Sequence, residues 1–297
     1  MGMLMMDEIR TKRFEDSKPV DYERLAYVDF KLFFTGTIKR SDMKDMFDLG
    51  DAAASKVFSQ YKGFRPDNMD YTRQQHTNTF NREKFKPLIE FGAELALGML
   101  ANGFNKNKLT DRPMQPYARV GKVPNQLNAN EVAKITRAIS GCYGIKCNYI
   151  SKNSDNHGER VLLPFALVFD GKTWMFRAYD RSHTGNDSPF KHFHFSRSKN
   201  IVELEKEFPK EHEKQSRDKE WNTQIPLLLR LHENIMDDQK KDIRYEFCMD
   251  ENADELVLTE RLSLYWILSR QWFIDDGKRD ENLFYKFKLI NRDVLSI

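Results

Sequence analysis

Wound as an α-helix, the segment from Asp51 to Tyr61 places Ala54, Val57, Phe58 and Tyr61 in one apolar stripe and leaves Ala52, Ala53, Ser55, Lys56, Ser59 and Gln60 outside it. That outer face is small at its N-terminal end and hydrogen-bonding beyond. Such a face can approach base edges in a major groove, where bulkier side chains would hold a helix away. It is equally the composition of a plain solvated helix. Further on, Arg73, Gln74, Gln75 and His76 form a polar turn between Met69-Asp70-Tyr71-Thr72 and Thr77-Asn78-Thr79-Phe80. This pattern predicts a β-hairpin, with Arg73 and Gln75 at the tip as a wing's contacts to nucleic acid.

A second group of candidates lies mid-chain. In Trp174-Met175-Phe176-Arg177-Ala178-Tyr179-Asp180 a period of two puts Trp174, Phe176 and Ala178 on one face and Met175, Arg177 and Tyr179 on the other. An arginine in mid-strand needs a partner, because an unpaired buried charge is expensive. The partner is either a structural carboxylate, Asp170 or Asp180, or an anionic ligand. In the second case Arg177 works with Tyr149, Ser151, Arg160, Tyr179, Lys191 and Arg197, and the arginine fork supplies bidentate contacts to phosphate.

His192, His194 and nearby His183 make the histidine cluster, and H-x-H on a strand sets two imidazoles on one side. No carboxylate or cysteine at ligand spacing follows, and Phe193 and Phe195 take the opposite face as core residues do, so no metal and no cofactor is expected. The sequence has no Walker loop, G-x-S-x-G, H-E-x-x-H or hydrolytic carboxylate pair. No catalytic residue is assigned and the chain is read as a non-enzyme. The alternative is a nucleotide-processing or single-stranded nucleic-acid-binding protein using the basic central barrel.

The elements that must position these residues follow from periodicity. Tyr22, Leu25, Val28 and Leu32/Phe33 mark a helix from Asp21 that Thr35-Gly36 stops. Ser41 and Asp42 are expected as N-caps of a short helix carrying Met43, Met46 and Phe47 inward; Leu49-Gly50 then turns the chain and Asp51 caps the next helix. Three helices and a polar hairpin make a winged helix-turn-helix over residues 1–91. Residues 92–130 read as a linker, with a short apolar helical stretch (Leu95, Leu97, Met99, Leu100) and then a Pro/Asn/Gly-rich connector over 111–130. A helix with Val132, Ile135 and Ile139 inward follows, then strands at Ile145–Ser151, Arg160–Phe169, Thr173–Asp180 and Phe190–Arg197, separated by turns that include Asn153–Gly158. These form a small barrel or sandwich within residues 131–205. Residues 215–297 read as a mixed α/β module. It has strands at Ile225–Leu231 and Glu255–Leu258, a helix at Asp237–Tyr245, and a helix at Glu260–Phe273 with Leu262, Tyr265, Trp266 and Trp272/Phe273 inward. Its role is either association of two copies or plain packing.

The chain has 297 residues, 40% hydrophobic and 31% charged, which suits two or three folded domains and excludes a disordered chain. The formal net charge of +3 excludes a uniformly basic nucleic-acid coat. By segment, residues 1–91 carry 16 Lys+Arg against 15 Asp+Glu, residues 92–200 carry 16 against 8, and residues 201–297 carry 16 against 22. The resulting nets of +1, +8 and −6 place a basic middle beside an acidic end. Either the middle meets an anion or the surface charge simply drifts. The longest apolar run, Val161–Phe169, is far too short to span a bilayer and is broken by Pro164. Met1–Met6 lacks the basic flank and length of a signal peptide. Cys142, Cys147 and Cys248 cannot all pair with one another and form no CxxC, so free, mostly buried thiols in a reducing cytoplasm are expected.

The order of these motifs resembles the WYL-domain transcriptional regulators that accompany bacterial phage-defence systems such as BREX and CBASS. The resemblance rests on Tyr149-Ile150-Ser151, Arg160-Val161-Leu162-Leu163-Pro164, Trp174 to Asp180, and Phe190-Lys191-His192-Phe193-His194-Phe195-Ser196-Arg197. Arg24-Leu25 and Leu49–Tyr61 match the family's DNA-binding part, and Ile225-Pro226-Leu227 through Tyr265-Trp266 its C-terminal extension. The resemblance implies an α+β multidomain fold with an N-terminal winged helix-turn-helix, a central SH3-like small β-barrel and a C-terminal α/β dimerisation extension. It further implies a cytoplasmic homodimeric repressor with no membrane contact, which binds an inverted-repeat duplex operator and senses a nucleic-acid or nucleotide effector. The chain departs from the family at Trp174-Met175-Phe176, where a thioether replaces the naming tyrosine's hydroxyl, and at Lys191, where arginine is common.

Overall fold

The structure, a computed structural model, describes residues 19–109, 115–116, 123, 126–151, 158–185, 187–277 and 284–295. Met1–Met6, most of the 111–130 connector and most of the Asn153–Gly158 turn lie outside the described residues. The chain divides into two compact units, residues 1–210 and 211–297.

The first unit opens with α1 (Pro19–Thr35), whose apolar residues line two faces. Leu25, Val28 and Leu32 enter one core while Ala26, Phe30 and Phe34 enter another. Gly36 ends the helix at φ +81°, a left-handed conformation that glycine adopts without a Cβ penalty. Next come β1 (Thr37–Ile38), α2 (Arg40–Phe47), α3 (Asp51–Phe64), β2 (Met69–Thr72) and β3 (Thr77–Phe80). The strands form a three-stranded antiparallel sheet in the order β1-β3-β2. The hairpin strands fall where the polar turn predicted them. The two-residue β1 is an addition, since two residues carry no period to read.

Three local expectations are corrected. Ser41 and Asp42 do not cap α2, which begins at Arg40; the Asp42 carboxylate instead reaches back to the Lys39 N–H at 2.8 Å, as a residue in the first turn of a helix does. Asp51 is the first residue of α3, after Gly50 at the cap. Met46 is 36% exposed, because the eight-residue α2 rests on the core through Met43, with Phe47 half-buried.

After α4 (Ala93–Asn102) the chain enters α5 (Ala129–Gly141), where the Asn128 side chain accepts the Glu131 N–H at 3.1 Å. Five strands follow, β4 (Gly144–Tyr149), β5 (Glu159–Phe169), β6 (Trp174–Asp180), β7 (Phe190–His194) and β8 (Ser198–Leu204), in one antiparallel sheet ordered β7-β6-β5-β4-β8. The predicted last strand stops at His194, and Phe195–Arg197 turns as a 3₁₀ helix into β8. β8 has no sequence forecast because its apolar residues, Ile201, Val202 and Leu204, do not alternate cleanly with its polar ones. The core joins this sheet (Ile145, Leu162, Phe176, Phe193) to α5 (Val132, Ile135), α4 (Ala96, Leu97) and the second face of α1.

Cys147 is buried, whereas Cys142 and Cys248 are exposed, against the expectation of mostly buried thiols; all three are free. Both exposed cysteines have positive φ just past a helix end, where the chain turns outward.

The second unit contains α6 (Lys219–Asn222), β9 (Gln224–Leu231), α7 (Asp237–Glu246), β10 (Glu255–Arg261), α8 (Tyr265–Gln271), β11 (Ile274–Asp275), β12 (Phe287–Leu289) and α9 (Arg292–Leu295). Its sheet runs β10-β9-β12-β11 over a core of Ile225, Leu227, Leu229, Ile243, Tyr265 and Phe287. The predicted Glu260–Phe273 helix is shorter, since β10 runs on to Arg261 paired with Gln224. Trp266 and Phe273, expected inward, are 40% and 47% exposed.

Candidate nucleic-acid interface and sensor site

The outer face of α3 is built as the sequence predicted. Ala54, Val57, Phe58 and Tyr61 are buried; Ala52, Ala53, Lys56 and Ser59 are exposed; Ser55 and Gln60 are half-buried, and the Ser59 hydroxyl donates back to the Ser55 carbonyl at 3.0 Å. Arg73 and Gln75 are exposed in a 3₁₀ turn at the hairpin tip, which His76 closes in a left-handed conformation. Tyr71, 44% exposed, meets His76 Nδ1 through its hydroxyl at 3.3 Å, which adds an aromatic surface that the sequence reading did not single out.

A buried polar network ties α3 to α1, to the segment after the hairpin and, through Asn68, to the foot of β2. Asp29 of α1 is 1% exposed. It accepts from the Tyr61 hydroxyl of α3 through one oxygen and from the backbone N–H groups of Leu88 and Ile89, at 3.0 and 3.1 Å, through the other. Asn68, at the foot of β2, donates to the Tyr61 hydroxyl at 2.8 Å and to the Lys86 carbonyl at 2.8 Å, and accepts from the Lys86 N–H at 2.9 Å. Burial pushes the Asp29 carboxyl up to about 6, against the opposing pull of Tyr61 and the two backbone donors. The one sequence signal was an acidic residue between Val28 and Phe30 inside an apolar helix.

The five-stranded sheet separates the predicted sensor residues into two groups. Register pairs Arg177 with His192 and Tyr179 with Phe190, whereas Ala178, on the other face, pairs with Lys191. Arg160 pairs with Cys147 and shares the face of Tyr149 and Phe176. Arg177 is 2% exposed, and its Nη1 donates to His192 Nδ1 at 3.2 Å. Burial, with the charges of Arg177 and His194, draws His192 down to about 3, so the ring is neutral and can accept there. Asp180 is held by Arg160 at 3.2 Å, and the Asp170 carboxylate is engaged by the Thr173 hydroxyl and N–H in its own turn. On the opposite face the Tyr149 hydroxyl accepts from the His194 N–H at 3.2 Å and is hydrogen-bonded to the Arg197 side chain. Lys191 pairs with Asp187 at 2.9 Å and approaches His183 Nδ1 at 3.2 Å. Ser151 lies just past β4, half-buried.

Comparison with known proteins matches residues 21–95 to the BrxR transcriptional regulator winged helix-turn-helix domain and residues 130–202 to the WYL domain. The chain is a WYL-domain transcriptional regulator of the phage-defence type. This regulator is 28% identical over 281 residues to the DNA-binding transcriptional repressor CapW of Pseudomonas aeruginosa, a match covering 91% of the chain and 89% of that protein. The CapW repressor of Stenotrophomonas maltophilia is 27% identical over 247 residues, covering 82% of the regulator and 80% of that protein. That of Escherichia coli is 25% identical over 262 residues with the same coverages. Among the described residues of the regulator, no helix is long and apolar enough to cross a membrane.

Proposed function

We propose that the chain is a homodimeric, sequence-specific repressor of a phage-defence operon. In this reading the outer face of α3 enters the major groove of an inverted-repeat operator and the hairpin tip contacts the neighbouring backbone, once per half-site. The observation that carries it is the pairing of a small, hydrogen-bonding helix face with an exposed hairpin carrying Arg73 and Gln75, the helix held to the buried Asp29 through Tyr61 and the hairpin's foot held to Tyr61 through Asn68. The CapW relatives, described as DNA-binding transcriptional repressors, support the same reading.

The second half of the proposal is that the WYL domain is an SH3-like barrel that senses a nucleic-acid or nucleotide ligand. Its support is the strand plan: a four-stranded meander, a 3₁₀ turn, and a fifth strand returning to pair with the first. Arg177, Tyr179, Tyr149, Ser151, Arg160, Lys191 and Arg197 remain the candidate contacts, now as two groups on opposite faces. The second unit, with the chain's acidic excess, holds the two copies together.

Gel shifts with the duplex upstream of the regulator's own gene test the first half. Lys56→Ala and Gln60→Ala should each weaken specific binding by roughly 5- to 100-fold with unchanged melting temperature. Unchanged affinity in both removes the α3 face from the interface. Titrating wild type and Arg177→Ala with nucleotides and single-stranded oligonucleotides tests the second half; identical binding by both proteins removes Arg177 from the sensor site.

A further inference from the structure

A buried ion pair lies where the winged helix meets the WYL sheet. Arg137, in the middle of α5, is 4% exposed, and its Nε and Nη2 donate to the two carboxylate oxygens of Glu203 on β8 at 3.0 and 2.7 Å. Its remaining arm, Nη1, donates to the Phe33 carbonyl in the last turns of α1 at 2.7 Å. The guanidinium also lies over the ring of Phe80, the last residue of β3, at 4.3 Å from the centroid. Glu203 in turn accepts from the Tyr143 hydroxyl at 2.6 Å and from Arg82, just beyond the hairpin, at 3.3 Å. Burial alone would raise the Glu203 carboxyl, but Arg137 and Tyr143 hold it below the usual carboxylate range.

We infer that Arg137 and Glu203 are the positioning pair through which the edge strand of the WYL sheet and the DNA-contacting elements respond to one another. The inference rests on the DNA reading proposed above. A planar fork bound bidentately to one carboxylate has a fixed direction, so Arg137 cannot follow β8 without losing its hold on α1 or on the base of the hairpin. Packed interfaces of this kind switch between discrete arrangements rather than stretch. Linkage makes the response reciprocal: if bound DNA steadies β8 in this arrangement, a ligand that displaces β8 must lower DNA affinity. α5 reinforces the connection, since Glu131 on the same helix accepts the Ile201 N–H of β8 at 2.8 Å.

Amide hydrogen exchange of the full chain, with and without saturating upstream duplex, reads the response without any effector. In wild type, exchange of Ile201–Leu204 should slow by about 5-fold or more on DNA binding, although β8 is not part of the proposed DNA face. The double variant Arg137→Met/Glu203→Leu removes the pair without orphaning a buried charge. It should still bind duplex and protect the hairpin, with no change at β8. Arg137→Lys, which retains the charge without the fork, should show a reduced β8 response and serves if the double variant does not fold. Glu159→Gln, which breaks an exposed ion pair to Lys146 in the same sheet, should behave as wild type. A wild type that binds duplex without slowing β8, or an Arg137 variant with the full β8 response, overturns the inference. A wild type that does not bind the duplex instead removes the DNA reading itself.

Discussion

At the scale of single residues the winged helix depends on polar groups placed where apolar ones are the rule. Asp29 is the sharpest case, since its carboxyl is raised to about 6 from an ordinary 3.8. A carboxyl whose folded value lies above its unfolded one contributes stability that is whole below about pH 4 and is lost as the pH rises through about 6. At pH 7.5 the ionised group therefore carries a cost on the order of 3 kcal/mol relative to its protonated form. Asp29→Asn should melt above wild type at pH 7.5, and the difference should vanish near pH 4. Thermal denaturation at the two pH values checks this, and an equal difference at both would show that the carboxyl does not titrate in this window. Asp29 and Arg137 were barely legible in the sequence, because a polar residue in an apolar stripe looks like noise until its partners, tens of residues away, are brought beside it. The Arg177 question was legible but not its answer. Arg160 holds Asp180, and a neutral His192 accepts from Arg177.

Secondary-structure elements were far more readable than individual contacts. The stripe of α3, both hairpin strands, β9 and α7 each follow from local period, and the structure places them within a residue or so of the prediction. Elements whose identity depends on a distant neighbour were not readable. β8 exists because it pairs with β4, and the Glu260–Phe273 helix is shortened because β10 keeps pairing with β9 through Arg261. The candidate sensor residues show the same limit, since alternation assigned Arg177 and Tyr179 to one face of β6 but only the register of β7 shows that Lys191 lies on the other. A prediction belongs to α3 as an element. Ala53→Leu places a good helix former at an exposed helical position, so stability should stay within about 0.5 kcal/mol of wild type. The bulk should nevertheless lift the helix off the groove and abolish specific binding. Retained specific binding, measured beside an unchanged unfolding curve, would show that this face does not meet DNA.

For the molecule as a whole, a net charge of +3 hides segment charges of +1, +8 and −6. The winged helix is close to neutral, so in the proposed reading its specificity comes from a few placed groups such as Lys56 and Arg73 rather than from a basic field. α1 contributes to both the winged-helix core and the core of the WYL sheet, which makes residues 1–210 one compact unit. Coupling between the two domains then needs only a small rearrangement at their shared helix and the Arg137 cluster. The central claim is sequence-specific duplex binding, and a competition titration by fluorescence anisotropy tests it most directly. Labelled upstream duplex is held at fixed salt against unlabelled copies of itself and against random duplex of equal length. The account predicts two chains per duplex, a preference for the upstream sequence of at least about 10³-fold, and a steep fall in affinity with added salt. Equal competition by the random duplex would contradict it.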